Sequence, residues 1–145
     1  MLKVFIIGFV FAFIACSPSK SRYNKNFKIA YIEAYKLQYY RKLLQTGFNN
    51  SNAINEILQL DRTIGMSDFY LTNEEQKPFD SLIKIDNMKM VKDSLESIGL
   101  RAEGAEGKRV LGYAMKIYNS KWLYSLAKSS YKNYRKQMKE IEKAY

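Results

Sequence analysis

Apolar residues recur at steps of three or four along most of the chain, which is the spacing of one face of an α-helix. No segment shows the strict apolar–polar alternation of a half-buried strand. Glycines end the first three predicted helices, which cover 27–46, 52–64 and 72–98. Pro78 either kinks the third helix or restarts it. The pattern therefore predicts an all-α fold, a small bundle of about four helices with a long C-terminal helix.

The C-terminal segment has the most regular pattern. From Val110 onward, eleven positions lie alternately three and four residues apart, and only Ser120 among them is neither apolar nor aromatic. This seven-residue repeat predicts one helix of about 35 residues, or ~52 Å at 1.5 Å per residue. Its first half, to Leu126, is apolar on several sides and is predicted to lie inside the bundle. Beyond Ala127 the apolar residues narrow to a single row, which we call the seam: Tyr131, Tyr134, Met138, Ile141 and Tyr145.

The chain begins with a different pattern. Lys3 and the amino terminus precede a twelve-residue apolar run, 4–15. As a helix it covers about 18 Å, too short for a hydrocarbon core of ~30 Å. The run ends at Cys16, the only cysteine, and polar residues follow at once. An ordinary signal peptide with an incidental cysteine, or an uncleaved anchor, would also place such a run here.

The sequence Phe13-Ile14-Ala15-Cys16 resembles the lipobox of bacterial lipoproteins, although Phe13 stands where leucine is usual. The resemblance implies that Cys16 carries fatty acyl chains such as palmitate and is the first residue of the mature protein. It implies a signal peptide over 1–15, the acylated cysteine with a short tether over 16–26, and one helical domain over 27–145. The implied location is the bacterial cell envelope, with the outer membrane (periplasmic face or surface) favoured over the inner membrane.

The composition excludes several classes of catalytic and metal-binding site. The chain has no histidine, and acylation of Cys16 would leave no thiol. Ser-His-Asp and Cys-His catalysis and the usual metal sites are therefore excluded, and no cofactor is expected. Carboxylate pairs such as Glu74 with Glu75, or Asp86 with Asp93, are interpreted as solvated charges, so no enzyme activity is predicted. Export through the signal argues against a nucleic-acid partner.

Charge is segregated along the chain. The net charge is +6 over 20–45, −5 over 46–107 and +8 over 108–145. Basic residues line the last helix beside its seam: Lys121, Lys128, Lys132, Arg135, Lys136, Lys139 and Lys143. The favoured interpretation is that they solvate one face and pair with the acidic middle helices. The alternative is an anionic partner, namely phospholipid headgroups, an acidic protein face or a polyanionic polymer.

The tail of the last helix is the predicted partner surface. Its seam needs one covering helix, and packing it on the basic first helix would be electrostatically unfavourable. A partner or a second copy is therefore expected to cover it at least part of the time. The candidate surface comprises Lys128, Tyr131, Lys132, Tyr134, Arg135, Met138, Lys139 and Ile141.

These patterns together predict a lipid-anchored interaction module of the cell envelope. Its expected role is that of an accessory or assembly subunit of a membrane-associated protein complex, bound to another envelope protein or to itself. The alternative is a surface-displayed lipoprotein that binds a host or competitor-derived ligand. The tyrosines could form a recognition face, but at heptad spacing they are mainly expected in the core, so they do not distinguish the two functions.

Overall fold

The computed structural model describes residues 18–61, 71, 73–96 and 108–144. These residues form five α-helices and no strand, which confirms the all-α prediction and the long C-terminal helix. The helices are α1 (Pro18–Gly47), α2 (Asn52–Leu60), α3 (Asn73–Glu96), α4 (Val110–Tyr118) and α5 (Lys121–Ala144). The chain divides between Ala30 and Tyr31 into two compact units. The second unit contains the core and most of α1.

Helix α1 begins at Pro18, so the predicted start at residue 27 is wrong. Polar side chains dominate the segment before Phe27, but no helix-breaking residue lies between Pro18 and Gly47. Proline is also favoured in the first helical turn, where its missing N–H costs nothing. The polar composition of 18–26 suggested an irregular tether, but lysine and arginine are good helix formers, so polarity alone does not exclude a helix.

Helix α2 differs from its prediction at its C-terminal end, and α3 differs at Pro78. Helix α2 begins at Asn52 as predicted but ends at Leu60, because Asp61 is extended. Helix α3 runs through Pro78 without interruption, so the prediction that proline restarts it is wrong. The predicted stops at Gly65 and Gly99, the capping side chain of Thr72 and the acylated Cys16 lie outside the described residues.

The predicted single C-terminal helix is two helices, α4 and α5, separated by Asn119 and Ser120. Ser120 caps α5, because its Oγ accepts a hydrogen bond from the backbone N–H of Leu123 at 3.1 Å. Asn119 Nδ2 donates to the carbonyl of Met115 at 3.0 Å and so satisfies the end of α4. Ser120, the one break in the apolar row, therefore marks a helix boundary.

The core lies in the second unit and is formed by all five helices. Its largest fully buried side chains are Tyr39, Leu43, Ile83, Met90, Leu123 and Asp86. Five apolar or aromatic residues of α1 recur at helical spacing and are buried: Ile32, Tyr35, Tyr39, Leu43 and Leu44. Phe79 joins α1 to α3 by edge-on ring contacts with Tyr35 and Tyr39, at centroid distances of 5.5 and 5.2 Å.

Gly47 ends α1 where α3 and α4 come closest to it. A Cβ on Gly47 would lie 2.5 Å from Val110 Cγ1 and 3.2 Å from Met90 Cε. The chain then turns through Asn49 and Asn50, whose φ angles of 57° and 54° lie in the left-handed region that asparagine tolerates. The missing side chain of Gly47 thus permits close packing, and the two asparagines make the turn.

Gly47→Ala is expected to destabilise the protein by about 2 kcal/mol, because the new methyl group overlaps Val110. Urea unfolding of a soluble form beginning at Ser17 measures this. Val110→Ala should make room for the new methyl group. The double variant Gly47→Ala, Val110→Ala should therefore lose less stability than the sum of the losses in the two single variants.

Gly112→Ala is the matched control, because a Cβ there meets nothing within 4 Å and Gly112 lies inside α4. It should stabilise the protein by about 0.5–1 kcal/mol through helix propensity. Equal effects at Gly47 and Gly112 would contradict the packing explanation.

Candidate interaction surfaces

Four large apolar residues of α3 face the solvent. Ile85, Met88, Val91 and Leu95 are all exposed, by 42%, 64%, 39% and 62%. The buried row is instead Phe79, Ile83, Asp86 and Met90, which lies on the opposite side of the helix at 100° per residue. Apolar residues therefore occur on both sides of α3, and only one side faces the core. We call Ile85, Met88, Val91 and Leu95 the α3 outer row.

A buried carboxylate joins three helices. Asp86 on α3 is 2% exposed and accepts hydrogen bonds from Tyr39 of α1 at 2.7 Å and Tyr113 of α4 at 3.1 Å. Lys89 Nζ, at the surface, lies 3.1 Å from the same carboxylate and compensates its charge. The sequence interpretation of Asp86 as a solvated charge is wrong, because hydrogen bonds from two tyrosines take the place of water.

The buried tyrosines resist ionisation. Burial, and then the hydrogen bond to Asp86 and its charge, raise the pKa of Tyr39 well above its ordinary value of 10.0. Burial also raises the pKa of Tyr113, Tyr35 and Tyr31, the last to about 12. Unfolding releases these constraints, so the folded protein holds protons that the unfolded chain loses above about pH 10.

Stability should therefore be fully present below about pH 10 and fall as the pH rises from there toward the raised pKa values. Urea unfolding across this range, followed together with tyrosinate absorbance, tests the expectation. Tyr31→Phe removes one such group and should make the fall shallower. A flat profile between about pH 10 and pH 12 would contradict the assignment.

The predicted partner surface on α5 divides into two parts. Tyr131 and Tyr134 turn toward Tyr31 of α1, with ring centroids 5.4 and 5.2 Å away. Ser130, the residue before Tyr131, is buried, accepts a hydrogen bond from the Tyr31 hydroxyl at 2.9 Å and donates one to Glu75 of α3 at 2.7 Å. The tyrosine part of the seam thus packs on the first helix, despite the basic charge of both helices, because the contact is made by aromatic rings.

The charged part of the surface faces outward. Lys128, Lys132 and Lys139 are exposed, and Ile141 is 51% exposed, whereas Arg135 and Met138 are half-buried. Among the described residues Lys136 is the only cation of α5 in an ion pair, with Glu140 of the same helix at 3.9 Å. Among the described residues, then, no α5 cation forms an ion pair with the acidic middle helices, contrary to the prediction, while Asp68, Glu103 and Glu106 of the acidic segment lie outside them. Two acids of α3 form ion pairs within that helix, Asp86 with Lys89 and Glu96 with Lys92.

A half-open groove of about 660 Å³ lies between α3 and α5. Its floor is formed by the buried rings of Tyr35 and Phe79, and one wall is a polar face of α5 that includes Ser129, Asn133 and Gln137. The polar residues of this face are not among the predicted site residues. The signal was present, because these residues lie at helical spacing on a side of α5 that carries neither the seam nor the cation row.

Two basic side chains, Lys108 and Arg41, donate hydrogen bonds to backbone carbonyls at the C-terminal ends of α1 and α2. Lys108 Nζ donates to the carbonyl of Gly47 at 3.2 Å, at the negative end of the α1 dipole. Arg41 donates to the carbonyls of Leu58 and Asp61 and to the Asp61 carboxylate, and so closes the end of α2. These basic residues have structural roles, in contrast to the α5 cations other than Lys136, which have no ion-pair partner in the described part of the chain.

No group of three or more acidic, cysteine or histidine side chains in the described part of the chain is arranged to hold a metal ion. None of the described helices is long and apolar enough to cross a membrane. No family model, curated protein or solved structure matches this chain.

Proposed function

We propose that the protein is a lipid-anchored, non-enzymatic interaction module of the bacterial cell envelope. Acyl chains on Cys16 hold it to the membrane, with the outer membrane favoured, and it acts as an accessory or assembly subunit of a membrane-associated complex. The observation that carries the proposal is the α3 outer row, four large apolar side chains exposed along one helix. Exposed apolar residues that recur along one helix are the feature that partner helices recognise.

The row has the dimensions of a helix–helix contact. Ile85 and Leu95 are ten residues apart, which is about 15 Å along α3. The spacing of three, three and four residues gives about one anchor per turn, as helical partners require. The proposed occupant is an apolar helix face of another envelope protein, and a second copy of the chain would present the same chemistry.

The energetics suit a protein that shares a membrane with its partner. Completing the burial of four half-exposed apolar side chains supplies about 3–6 kcal/mol before costs. Association from free solution costs about 4–15 kcal/mol, so the row alone would give a weak complex. Confinement of both proteins to one membrane raises their effective concentration and reduces that cost. Anchoring and docking are therefore complementary parts of one proposal.

The docking face can be tested by site-specific cross-linking in cells. A photo-crosslinking residue in place of Met88 should give a discrete adduct, and purification from detergent-solubilised envelopes should recover a stoichiometric complex. The same residue in place of Lys116, which is exposed on α4, is the control and should give none.

A protein recovered alone, with no adduct at Met88, would argue against the proposal. A heterologous adduct identifies an envelope partner, and an adduct of twice the chain mass identifies self-association. Cleavage by protease added to intact cells, together with recovery of a soluble external ligand, would favour the surface-displayed alternative.

The anchor is tested separately. Mass spectrometry of the N-terminal peptide should find Cys16 acylated and first in the mature chain, and Cys16→Ala should release or mislocalise the protein. An unmodified Cys16, or a mature chain that starts elsewhere, would overturn this part of the proposal.

A further inference from the structure

The outward side of α5 carries a continuous row of cations. At 100° per residue, its six members fall within an arc of about 80° and extend for about 33 Å along the helix. The members of this cation row are Lys121, Lys128, Lys132, Arg135, Lys139 and Lys143. The core side of α5, with Leu123, Ala127 and Ser130, faces the opposite way. The row is therefore a separate surface, distinct from both the core and the groove.

This charge is not compensated within the described chain. None of the six cations has an ion-pair partner among the described residues, and Glu142 is the only acidic residue on this side of α5. Rows of like charge repel one another, so the arrangement carries a cost that an anionic surface would remove. Tyr124, which is 46% exposed, lies beside the row and adds an amphipathic ring.

We propose that the cation row lies against anionic phospholipid headgroups of the membrane that holds the protein. This inference rests on the proposed anchor at Cys16. Five of the six cations are lysines, which are point charges that need no fixed geometry from their partner. Mobile headgroups can match a 33 Å row without any register, whereas an acidic protein would need its own charges at the same spacing. Tyrosine is also enriched at membrane–water interfaces, in agreement with the position of Tyr124.

The electrostatic attraction between the cation row and an anionic bilayer is strong enough to orient an anchored domain. Each lysine close to an anionic bilayer contributes roughly a fivefold preference for the surface-bound orientation. The anchor supplies attachment and the cation row supplies orientation. In this arrangement α5 lies on the headgroups, and the row decides which face of the protein meets the membrane.

The experiment uses the full acylated chain reconstituted in vesicles. A polarity-sensitive dye is attached to Ser125→Cys, which is exposed between members of the row, or to Asn133→Cys, which is exposed on the groove side. Acylation blocks the thiol of Cys16, so each variant carries one label. The vesicles contain phosphatidylcholine alone or mixed with phosphatidylglycerol, and a water-soluble quencher reports the exposure of the dye.

With phosphatidylglycerol present, quenching at position 125 should fall several-fold and recover in 1 M salt, where the screening length is about 3 Å. Quenching at position 133 should not change. The variant Lys128→Glu, Lys132→Glu, Lys139→Glu should lose the protection. The matched variant Lys77→Glu, Lys84→Glu, Lys116→Glu changes the same charge at exposed positions outside the row and should keep it.

Equal quenching at position 125 in both kinds of vesicle, with the protein floating in both, overturns the proposal and leaves the anchor intact. Protection in native envelopes but not in anionic vesicles also overturns it, and assigns the row to an acidic protein. A chain that floats with neither vesicle overturns the anchor and with it this inference.

Discussion

Replacing Asp86 by alanine is expected to lower the free energy of unfolding by about 3 kcal/mol, a large part of the ~5–15 kcal/mol that a domain of this size has. The substitution removes the acceptor of two tyrosine hydroxyls, those of Tyr39 and Tyr113. Tyr39 is fully buried, so water cannot replace the carboxylate. Each buried donor left without an acceptor costs about 1–3 kcal/mol.

The control series separates lost hydrogen bonds from lost charge. Asp86→Asn keeps one acceptor oxygen and the side-chain shape, so it should cost clearly less than alanine. Glu96→Ala removes a carboxylate from an exposed ion pair on the same helix and should change stability by less than about 0.5 kcal/mol. All variants are compared by urea unfolding of the form beginning at Ser17.

A further variant tests the cause directly. Combining Asp86→Leu with Tyr39→Phe and Tyr113→Phe removes the donors along with the acceptor, so much of the lost stability should return. If Asp86→Ala and Glu96→Ala have equal effects, the network does not stabilise the fold as argued.

Asp86 also shows why helix face was harder to predict than helix type. The spacing of apolar residues identified α3 correctly, because period and length alone distinguish a helix from a strand. The longest apolar row in this segment runs from Leu82 to Ile98, and a core face is normally the most apolar one. In the structure the core face contains a charged residue made compatible with burial by tyrosines from other helices. Such a partner comes from tertiary contacts, which one helix's pattern does not contain.

In the C-terminal segment, the local helix-end signal at Asn119-Ser120 was less conspicuous than the long apolar row around it. The heptad row from Val110 continued through Ser120, and one polar residue in eleven was treated as a gap in a single helix. Asn119-Ser120 is a pair of residues that favour helix ends, because their side chains bond to nearby backbone groups. After the break, two buried residues lie one position before the predicted row, Leu123 before Tyr124 and Ser130 before Tyr131, whereas Ala127 belongs to both. Tyr131 and Tyr134 of the predicted partner surface are partly buried and contact Tyr31 of α1, which the pattern of one helix does not reveal.

Truncation after Ser130 is expected to destabilise the protein by about 3–5 kcal/mol, or to unfold it. It removes Tyr131 and Tyr134, whose rings pack on the buried ring of Tyr31 and supply both apolar burial and aromatic contacts. It also removes the α5 wall of the groove beyond Ser130, which uncovers Tyr35 and Phe79. Circular dichroism during heating compares the truncated form with the form beginning at Ser17.

Truncation after Glu140 is the matched control. It removes Ile141, which is 51% exposed, and the exposed residues 142–144, so it should change stability by less than about 0.5 kcal/mol. The double variant Tyr131→Ala, Tyr134→Ala should reproduce most of the loss at full length, whereas Lys132→Ala, Lys139→Ala should not. If truncation after Ser130 leaves thermal stability unchanged but abolishes complex formation, the tyrosine seam belongs to an interface with a partner, and the packing on Tyr31 contributes little to the fold.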